Sequence, residues 1–314
     1  ILNMFLPKGK HLLSMKGKVK NANSSYNTTV EPIDTVMPIV VLVNEATASA
    51  SEITSGALQD YDRAVIMGTR TYGKGLVQIP NVSLPYNGKL KLTTAKYYIP
   101  SGRCIQALRY KHTDNGYVAE NVPDSLTHEF RTAAGRIVRD GGGIKPDIEV
   151  KPDSLPNIAF YLSRVDTTDI LLNYEIDYIA AHPTVASPKD FELSDADYEQ
   201  FKQRVIKSGF TYDQVSEKIL KELENLARFE GYYDDAKPEF EALRQKLKHN
   251  IAKDLDYPYN KQKIKEMIAA DIMAAYYFEK GSLENSLRND KQFAEAARLL
   301  GNAEEYQKLL QPKK

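Results

Sequence analysis

Cysteine is nearly missing from this 314-residue chain. Cys104 is the only one, so no disulfide can form within the chain, and cysteine usage does not assign a compartment. Net charge is missing altogether: 42 basic residues balance 42 acidic ones, which argues against a nucleic-acid or acidic-lipid footprint. No apolar run approaches the roughly 20 residues that a spanning helix needs. The histidines are His11, His112, His128, His182 and His249, and none sits in a metal-type pair such as His-Glu-x-x-His, so no metal or cofactor is expected. An initiator methionine and a secretory signal are also lacking. The opening "ILNMFLPKGK" reads as the end of a helix turning out at Pro7 and Gly9, which predicts a piece of a longer protein.

What is present is ordinary soluble-protein material, 42% hydrophobic and 27% charged, and long enough for two domains. Up to about residue 150 the chain alternates short β-rich runs with turn residues. "PIVVLV" (38–43) and "RAVIMG" (63–68) are almost continuously apolar, as strands buried on both faces should be. Between them Ala50, Ile53, Ala57, Leu58 and Tyr61 share one helical face. Strand, helix and strand over about 30 residues predict a βαβ unit with a parallel pair. Asn87-Gly88 ahead of an alternating run predicts a hairpin turn. After "GGGIKPDIEVKPDSLP" the texture becomes helical, with Val215, Ile219, Leu223 and Leu226 on one face, and Phe240, Leu243, Leu247 and Ile251 on another. Gly231 and Pro238 punctuate these helices, and Gly281 is expected to end the one that starts near Lys261.

Two stretches could carry chemistry. "NEATASASE" (44–52) ends an apolar strand in three hydroxyls, Thr47, Ser49 and Ser51. Ser49 and Glu52 have the Ser-x-x-Glu form of a capping box, so Ser49 could simply cap the helix. A serine at a strand-to-helix turn also presents its Oγ beside free backbone N–H groups at the positive helix end, and these stabilise an oxyanion. Spacing alone leaves the two readings level. The second stretch, "GTRTYGKGLVQIP" (68–80), nearly matches a phosphate-cradling loop, but Gly75 stands where a metal-holding Ser or Thr belongs, and a strand follows instead of a helix. A lysine flanked by Gly73 and Gly75 has another use. Backbone could approach it closely and desolvate the ammonium, which would prepare Lys74 as a general base, whereas the default for any lone lysine is an exposed loop residue. Gln78, on the same face if this is a strand, could orient the amine. No context favours a Ser-His-Asp triad, and Cys104 reads as a small half-buried thiol.

Taken together, "NEATASASEI", "YGKGLVQ", "KYYIPSGRCIQ" and "GGGIKPDIEV", in this order and at these distances, resemble the carboxyl-terminal processing peptidases, the tail-specific serine proteases of family S41. The resemblance covers residues 1–152. It implies Ser49 as nucleophile, Lys74 as general base, Gln78 as the group that orients the lysine, and the backbone N–H of Ala50 as one oxyanion donor. Ser51 and Thr47 are then structural, and Tyr72 stands where many members have phenylalanine. The implied fold is α/β: a partial crotonase- or Clp-like sandwich over 1–152, followed by a mostly α-helical domain over 153–314. The second oxyanion donor, from a glycine-rich segment, and a PDZ domain would both lie upstream of Ile1. The implied partners are protein or peptide substrates with exposed C-termini and a second copy through regions outside the core, with no cofactor. Membrane association would come only through the upstream N-terminus, and the implied location is the periplasm or cell envelope. A catalytically silent peptide-binding scaffold of the same fold is the alternative.

Overall fold

After Arg63 the run at 64–68 is apolar throughout and can bury on both faces, and it becomes the middle of a sheet. In the computed structural model, which describes residues 1–113, 116–164, 168–248 and 250–312, β3 (Val40–Val43), β4 (Val65–Gly68) and β11 (Ile148–Glu149) form a parallel sheet in the order β11-β4-β3. β4 is buried throughout. β3 is instead an edge strand, and Leu42 is exposed, so "PIVVLV" is not buried on both faces as its composition suggested. The crossover from β3 to β4 is α1 (Ala50–Asp60).

The chain divides into two units, Ile1–Pro152 with Asp290–Lys314, and Asp153–Asn289. The first unit explains its own second segment. Pleating sends Ile66 to one face of the sheet, where it packs with Ala57, Leu58, Ile99, Ile105 and Ile144. Val65 and Met67 point to the other face, and there Ala296 and Leu299 of α9 (Lys291–Leu300) and Tyr306 of α10 (Ala303–Leu309) cover them. The Tyr306 hydroxyl donates to the Ile39 carbonyl at 3.0 Å and lies 2.9 Å from the Ile39 amide. The last two helices therefore belong to the α/β unit rather than to the helical domain expected over 153–314. Sequence proximity hid this, because β4 can bury its second face only with residues that arrive 220 or more positions later.

A second sheet, β2-β1-β6-β5, contains β1 (His11–Gly17), β2 (Ser24–Asn27), β5 (Leu76–Ser83) and β6 (Lys89–Tyr98), all antiparallel. The β5–β6 hairpin turns through Tyr86 and Asn87, both at positive φ (58° and 60°), with the Gly88 amide donating to the Pro85 carbonyl. The expected turn is thus one residue out: Asn87 takes the second left-handed position and Gly88 closes the turn. Two smaller hairpins follow, β7 (Leu108–Thr113) with β8 (Gly116–Asn121), and β9 (Glu129–Arg131) with β10 (Ile137–Arg139).

The second unit is helical: α2 (Asn157–Arg164), α3 (Ile170–Ala181), α4 (Asp195–Lys207), α5 (Val215–Glu230), α6 (Lys237–Leu247), α7 (Ile251–Asp256) and α8 (Pro258–Ser286). Its core gathers Tyr174, Phe201, Leu255, Ile264, Ile268 and Met273 among others. Gly231 ends α5 in the left-handed conformation (φ 83°), and Pro238 sits in the first turn of α6. Gly281 does not end α8. The helix breaks at Phe278 (φ 59°, ψ −166°), and Gly281 lies beyond the break, where a Cβ would come within 2.3 Å of Tyr277 Cβ.

Candidate active site

Local chemistry builds the turn that carries the serine. After β3 the Asn44 side chain accepts from the Ala46 amide (3.0 Å), and the Thr47 hydroxyl accepts from the Asn44 amide (3.1 Å). Thr47 is thereby committed to the turn. Ser51 is exposed in the first turn of α1. Ser49 is half-buried at the N-cap, with φ 56° and ψ −115°, a conformation that L-residues adopt only under constraint. Its hydroxyl approaches the Glu52 amide in capping-box fashion without completing a capping hydrogen bond. The Ala50 amide, first in the helix, has no acceptor among the described residues and stands at the positive end of α1.

Glu52 is fully buried. Oε1 accepts from the Thr71 hydroxyl (2.5 Å) and the Gly73 amide (2.7 Å); Oε2 accepts from the amides of Ser49 and Lys74, each at 2.9 Å. One carboxylate thus holds the serine turn and the lysine loop together, with all four donors satisfied by a group of matching capacity. The loop is braced from behind. Thr71 Oγ1 accepts from the Ile144 amide (2.7 Å), and the Tyr72 amide donates to the Thr47 carbonyl (3.0 Å). Both glycines beside Lys74 are required by close approach. At Gly73 (φ 82°) a Cβ would lie 2.3 Å from Ala107 Cβ, and at Gly75 it would lie 2.6 Å from the Gln106 amide nitrogen.

The structure therefore brings the backbones of Ser49, Ala50 and Lys74 together. Two expectations about side chains gain no support from these contacts. Backbone does approach Gly73 and Gly75, but the Lys74 side chain itself is exposed, and its ammonium has no hydrogen-bond partner among the described residues. Gln78 is exposed too. Lys74 precedes β5, and a register irregularity falls between Val77 and Gln78, so strand alternation does not place the Gln78 amide beside the lysine.

The end of α1 away from Ser49 is anchored by a buried ionic network that sequence reasoning missed. Arg103, from "IPSGRC", lies 2.9 Å from Asp60 Oδ1 and donates to Gln59 Oε1 at 2.7 Å. Asp147, from "GIKPD", accepts from Gln59 Nε2 (2.9 Å), Arg136 (2.6 Å) and the Ile66 amide (2.8 Å). Burial holds Asp60 above the usual carboxylate range despite Arg103. The motifs downstream of Lys74 thus fix α1 and the lysine loop in the sheet. Their signal in sequence was an arginine inside an otherwise uncharged "YYIPSGRCIQ".

Other nucleophiles fare less well. Burial pushes the Cys104 thiol up, away from thiolate chemistry. Ser14 Oγ lies 3.1 Å from His11 Nε2, but both sit on β1, whose backbone groups serve the β2 and β6 ladders rather than an oxyanion. His128 meets Asp140 at the surface, while the His112 side chain and His249 lie outside the described residues. Among the described residues no cluster of His, Cys, Asp and Glu is placed to hold a metal ion. A cavity of about 640 Å³ lies within the helical unit. Its cations are committed: Lys261 and Lys265 to Asp195, Arg288 to Glu192.

The chain matches known proteins in two blocks. Residues 1–113 match peptidase family S41, and residues 160–300 match the C-terminal helical domain of a probable PDZ-protease. A carboxy-terminal-processing protease of Bartonella bacilliformis is 44% identical over 108 residues, 34% of this chain and 24% of that protein. A carboxyl-terminal-processing protease of Picosynechococcus is 51% identical over 84 residues, 27% of this chain and 20% of that protein. A chloroplastic C-terminal processing peptidase of Tetradesmus obliquus is 47% identical over 144 residues, 46% of this chain and 24% of that protein. The chain spans about a quarter of the length of the curated relatives it matches. Its similarity to S41 peptidases thus lies in 1–113, and its similarity to the PDZ-protease helical domain in 160–300.

Proposed function

We propose that this chain carries the nucleophile and base of a serine endopeptidase that processes proteins near their C-termini. The observation that supports it most is the shared carboxylate of Glu52, which clamps the strained Ser49 turn to the Lys74 loop at a helix N-terminus. Ser49 Oγ attacks the peptide carbonyl carbon while the neutral Lys74 amine takes the hydroxyl proton. The Ala50 amide donates to the oxyanion. On collapse the C–N bond breaks and the Lys74 ammonium protonates the leaving amine. The neutral Lys74 then takes a proton from water as its oxygen attacks the serine ester, and passes that proton to Ser49 Oγ as the ester C–O bond breaks, which restores both groups. The resemblance, and not the register of β5, is what assigns Gln78 to orienting the amine.

The exposure of Lys74 sets a condition on this reading. A general base at this position asks for a desolvating cover, and a bound polypeptide lying over the Gly73-Lys74-Gly75 loop would supply it. Activity is therefore expected of the chain joined to the upstream oxyanion and PDZ segments that the resemblance implies, with the isolated chain slow or inactive. The proposed setting is the periplasm or cell envelope. The same exposure is the observation that favours the silent peptide-binding scaffold. Cleavage of an unfolded protein by the chain joined to those segments decides between them, and the substitutions below are made in that longer protein. Ser49→Ala and Lys74→Ala should each lower turnover about a thousandfold or more. Full turnover by the Ser49→Ala variant would overturn the assignment, whereas peptide binding without turnover in the unsubstituted protein would favour the scaffold.

A further inference from the structure

β5 leaves the Lys74 loop with a partner strand on one side only. β6 lies along one edge, and among the described residues no strand lies along the other. β1 pairs with β6 only over residues 95–98, so the hairpin beyond Thr93 stands outside the four-stranded sheet as a two-stranded arm. Two strands alone are marginally stable in water, and this arm is two-faced. Lys89 and Lys91 alternate with Leu90 and Leu92 along β6, which sends the two kinds to opposite faces. Lys89 donates to the Ser83 hydroxyl at 3.1 Å on one face, while Leu90 and Leu92 are 38 and 44% exposed on the other. The register pairs Leu90 with Val82 and Leu92 with Ile79, apolar residues of the open-edged strand.

The irregularities of the hairpin bound the usable edge. At the first, Val77 and Gln78 face Ala95 and Thr93, so the extra residue is Thr94 of β6, and β5 stays regular from 76 to 79. The second falls on β5 itself, between Ile79 and Val82, and includes Pro80, which has no N–H to offer a ladder. An edge interrupted in this way resists pairing along its whole length with a second copy and leaves one short regular stretch beside the lysine.

We propose that the open edge of β5 takes the substrate polypeptide as an added antiparallel strand over residues 76–79, with the residues N-terminal to the cleaved bond on the arm. This rests on the peptidase reading above and names what that site binds: an unfolded, extended segment with apolar side chains at alternate positions. Three relationships favour a polypeptide as the occupant. An edge strand presents backbone N–H and C=O groups whose spacing another extended backbone matches. The edge begins at Leu76, two residues after Lys74, so a strand seated there continues over the Gly73-Lys74-Gly75 loop and shields the exposed ammonium from water. β5 runs away from the lysine, so an antiparallel partner runs toward it and delivers its C-terminal end to Ser49, which suits cleavage close to a C-terminus. Alternate side chains of that strand then extend the exposed row of Leu90 and Leu92.

Binding is measured apart from cleavage in the Ser49→Ala chain, by fluorescence anisotropy of a labelled, non-repetitive peptide of about ten residues with an amidated C-terminus. N-methyl groups are placed on its amides one at a time. An added strand predicts that two amides, two residues apart, each lose about five- to tenfold in affinity on N-methylation, while the amide between them tolerates it. Leu92→Asp should weaken binding about fivefold with an unchanged melting temperature, and Leu172→Asp, exposed on α3, should leave binding as it was. Absence of binding at chain concentrations up to about 500 µM, or an equal effect of N-methylation at every amide, would overturn the inference. Its failure is separable from that of the peptidase reading. The alternating pattern in a chain whose longer, unsubstituted form cleaves nothing keeps the peptide edge and removes the peptidase, whereas cleavage without the pattern does the reverse.

Discussion

Ser49 and Lys74 donate their backbone amides to one atom, Oε2 of Glu52, at 2.9 Å each. Twenty-five residues of sequence are thereby closed into a loop whose two ends carry the proposed nucleophile and base. The other oxygen takes Thr71 and Gly73, so the carboxylate is saturated. Replacing it by an amide converts part of an acceptor-only group into a donor that faces donors. Glu52→Gln should cost about 2–4 kcal/mol of stability through unsatisfied buried amides, and should also slow turnover. Calorimetry together with labelling by a serine-reactive probe checks both. Unchanged labelling in a destabilised protein would show that the clamp holds the fold but not the site.

The φ of 56° at Ser49 gives a prediction of opposite sign for stability. Holding a serine there costs about 1–3 kcal/mol, which glycine would not incur. Ser49→Gly should therefore raise the melting temperature while abolishing probe labelling, and Ser51→Ala should change neither by much. Loss of stability in Ser49→Gly would mean that the hydroxyl acts as a helix cap first.

Only part of this site was legible in the sequence. The βαβ unit showed through its apolar runs, and Ser49 and Lys74 stood out through "NEATASASE" and Gly-Lys-Gly. Glu52 was visible only as a cap partner. A capping box contains two of its residues, but the amides of Gly73 and Lys74 reach it from beyond β4, and no local pattern records that. The pairing of α9 and α10 with β4 was hidden for the same reason. The row of Val215, Ile219, Leu223 and Leu226 on α5 misled in another way: its 3.6-residue period marks an apolar face without saying whether this chain covers it, and these side chains are exposed.

Gly73→Ala and Gly75→Ala probe the loop behind the lysine. Each new methyl would meet atoms at 2.3 and 2.6 Å, and at Gly73 the left-handed backbone adds strain. Gly75→Ala runs into backbone, which cannot yield as a side-chain tip can. Both should lower stability by about 1–3 kcal/mol, with turnover falling further than stability explains because Lys74 moves with its loop. Comparing the melting temperature with kcat for each variant separates the two effects. Full turnover in either would mean that the lysine loop tolerates displacement.

Buried Asp60 against Arg103 predicts a large effect from the far end of α1. Asp60→Asn leaves the 1%-exposed guanidinium without its charge partner, which should cost about 3–5 kcal/mol. A double variant, Asp60→Leu with Arg103→Met, should recover part of that loss by replacing the pair with apolar volume. If the double variant is no more stable than Asp60→Asn, the remaining hydrogen bonds of Arg103 to Gln59 and the Arg139 carbonyl matter more than its charge.

In the helical unit, Glu175 is buried, its Oε1 has no hydrogen-bond partner among the described residues, and burial, with Asp271 nearby as the lesser cause, pushes its carboxyl up to about 8 from an ordinary 4.5. The folded chain therefore keeps a proton that the unfolded chain releases. The stability gained from the neutral form is complete below about pH 4.5 and is lost as pH rises through about 8. Glu175→Gln mimics the neutral form at every pH. It should match the unsubstituted protein near pH 5 and exceed it near pH 9 by on the order of a few kcal/mol, read as a flatter dependence of melting temperature on pH. Parallel curves for the two proteins across that range would show that Glu175 reaches water or a cation when it ionises, and that burial is not what governs it.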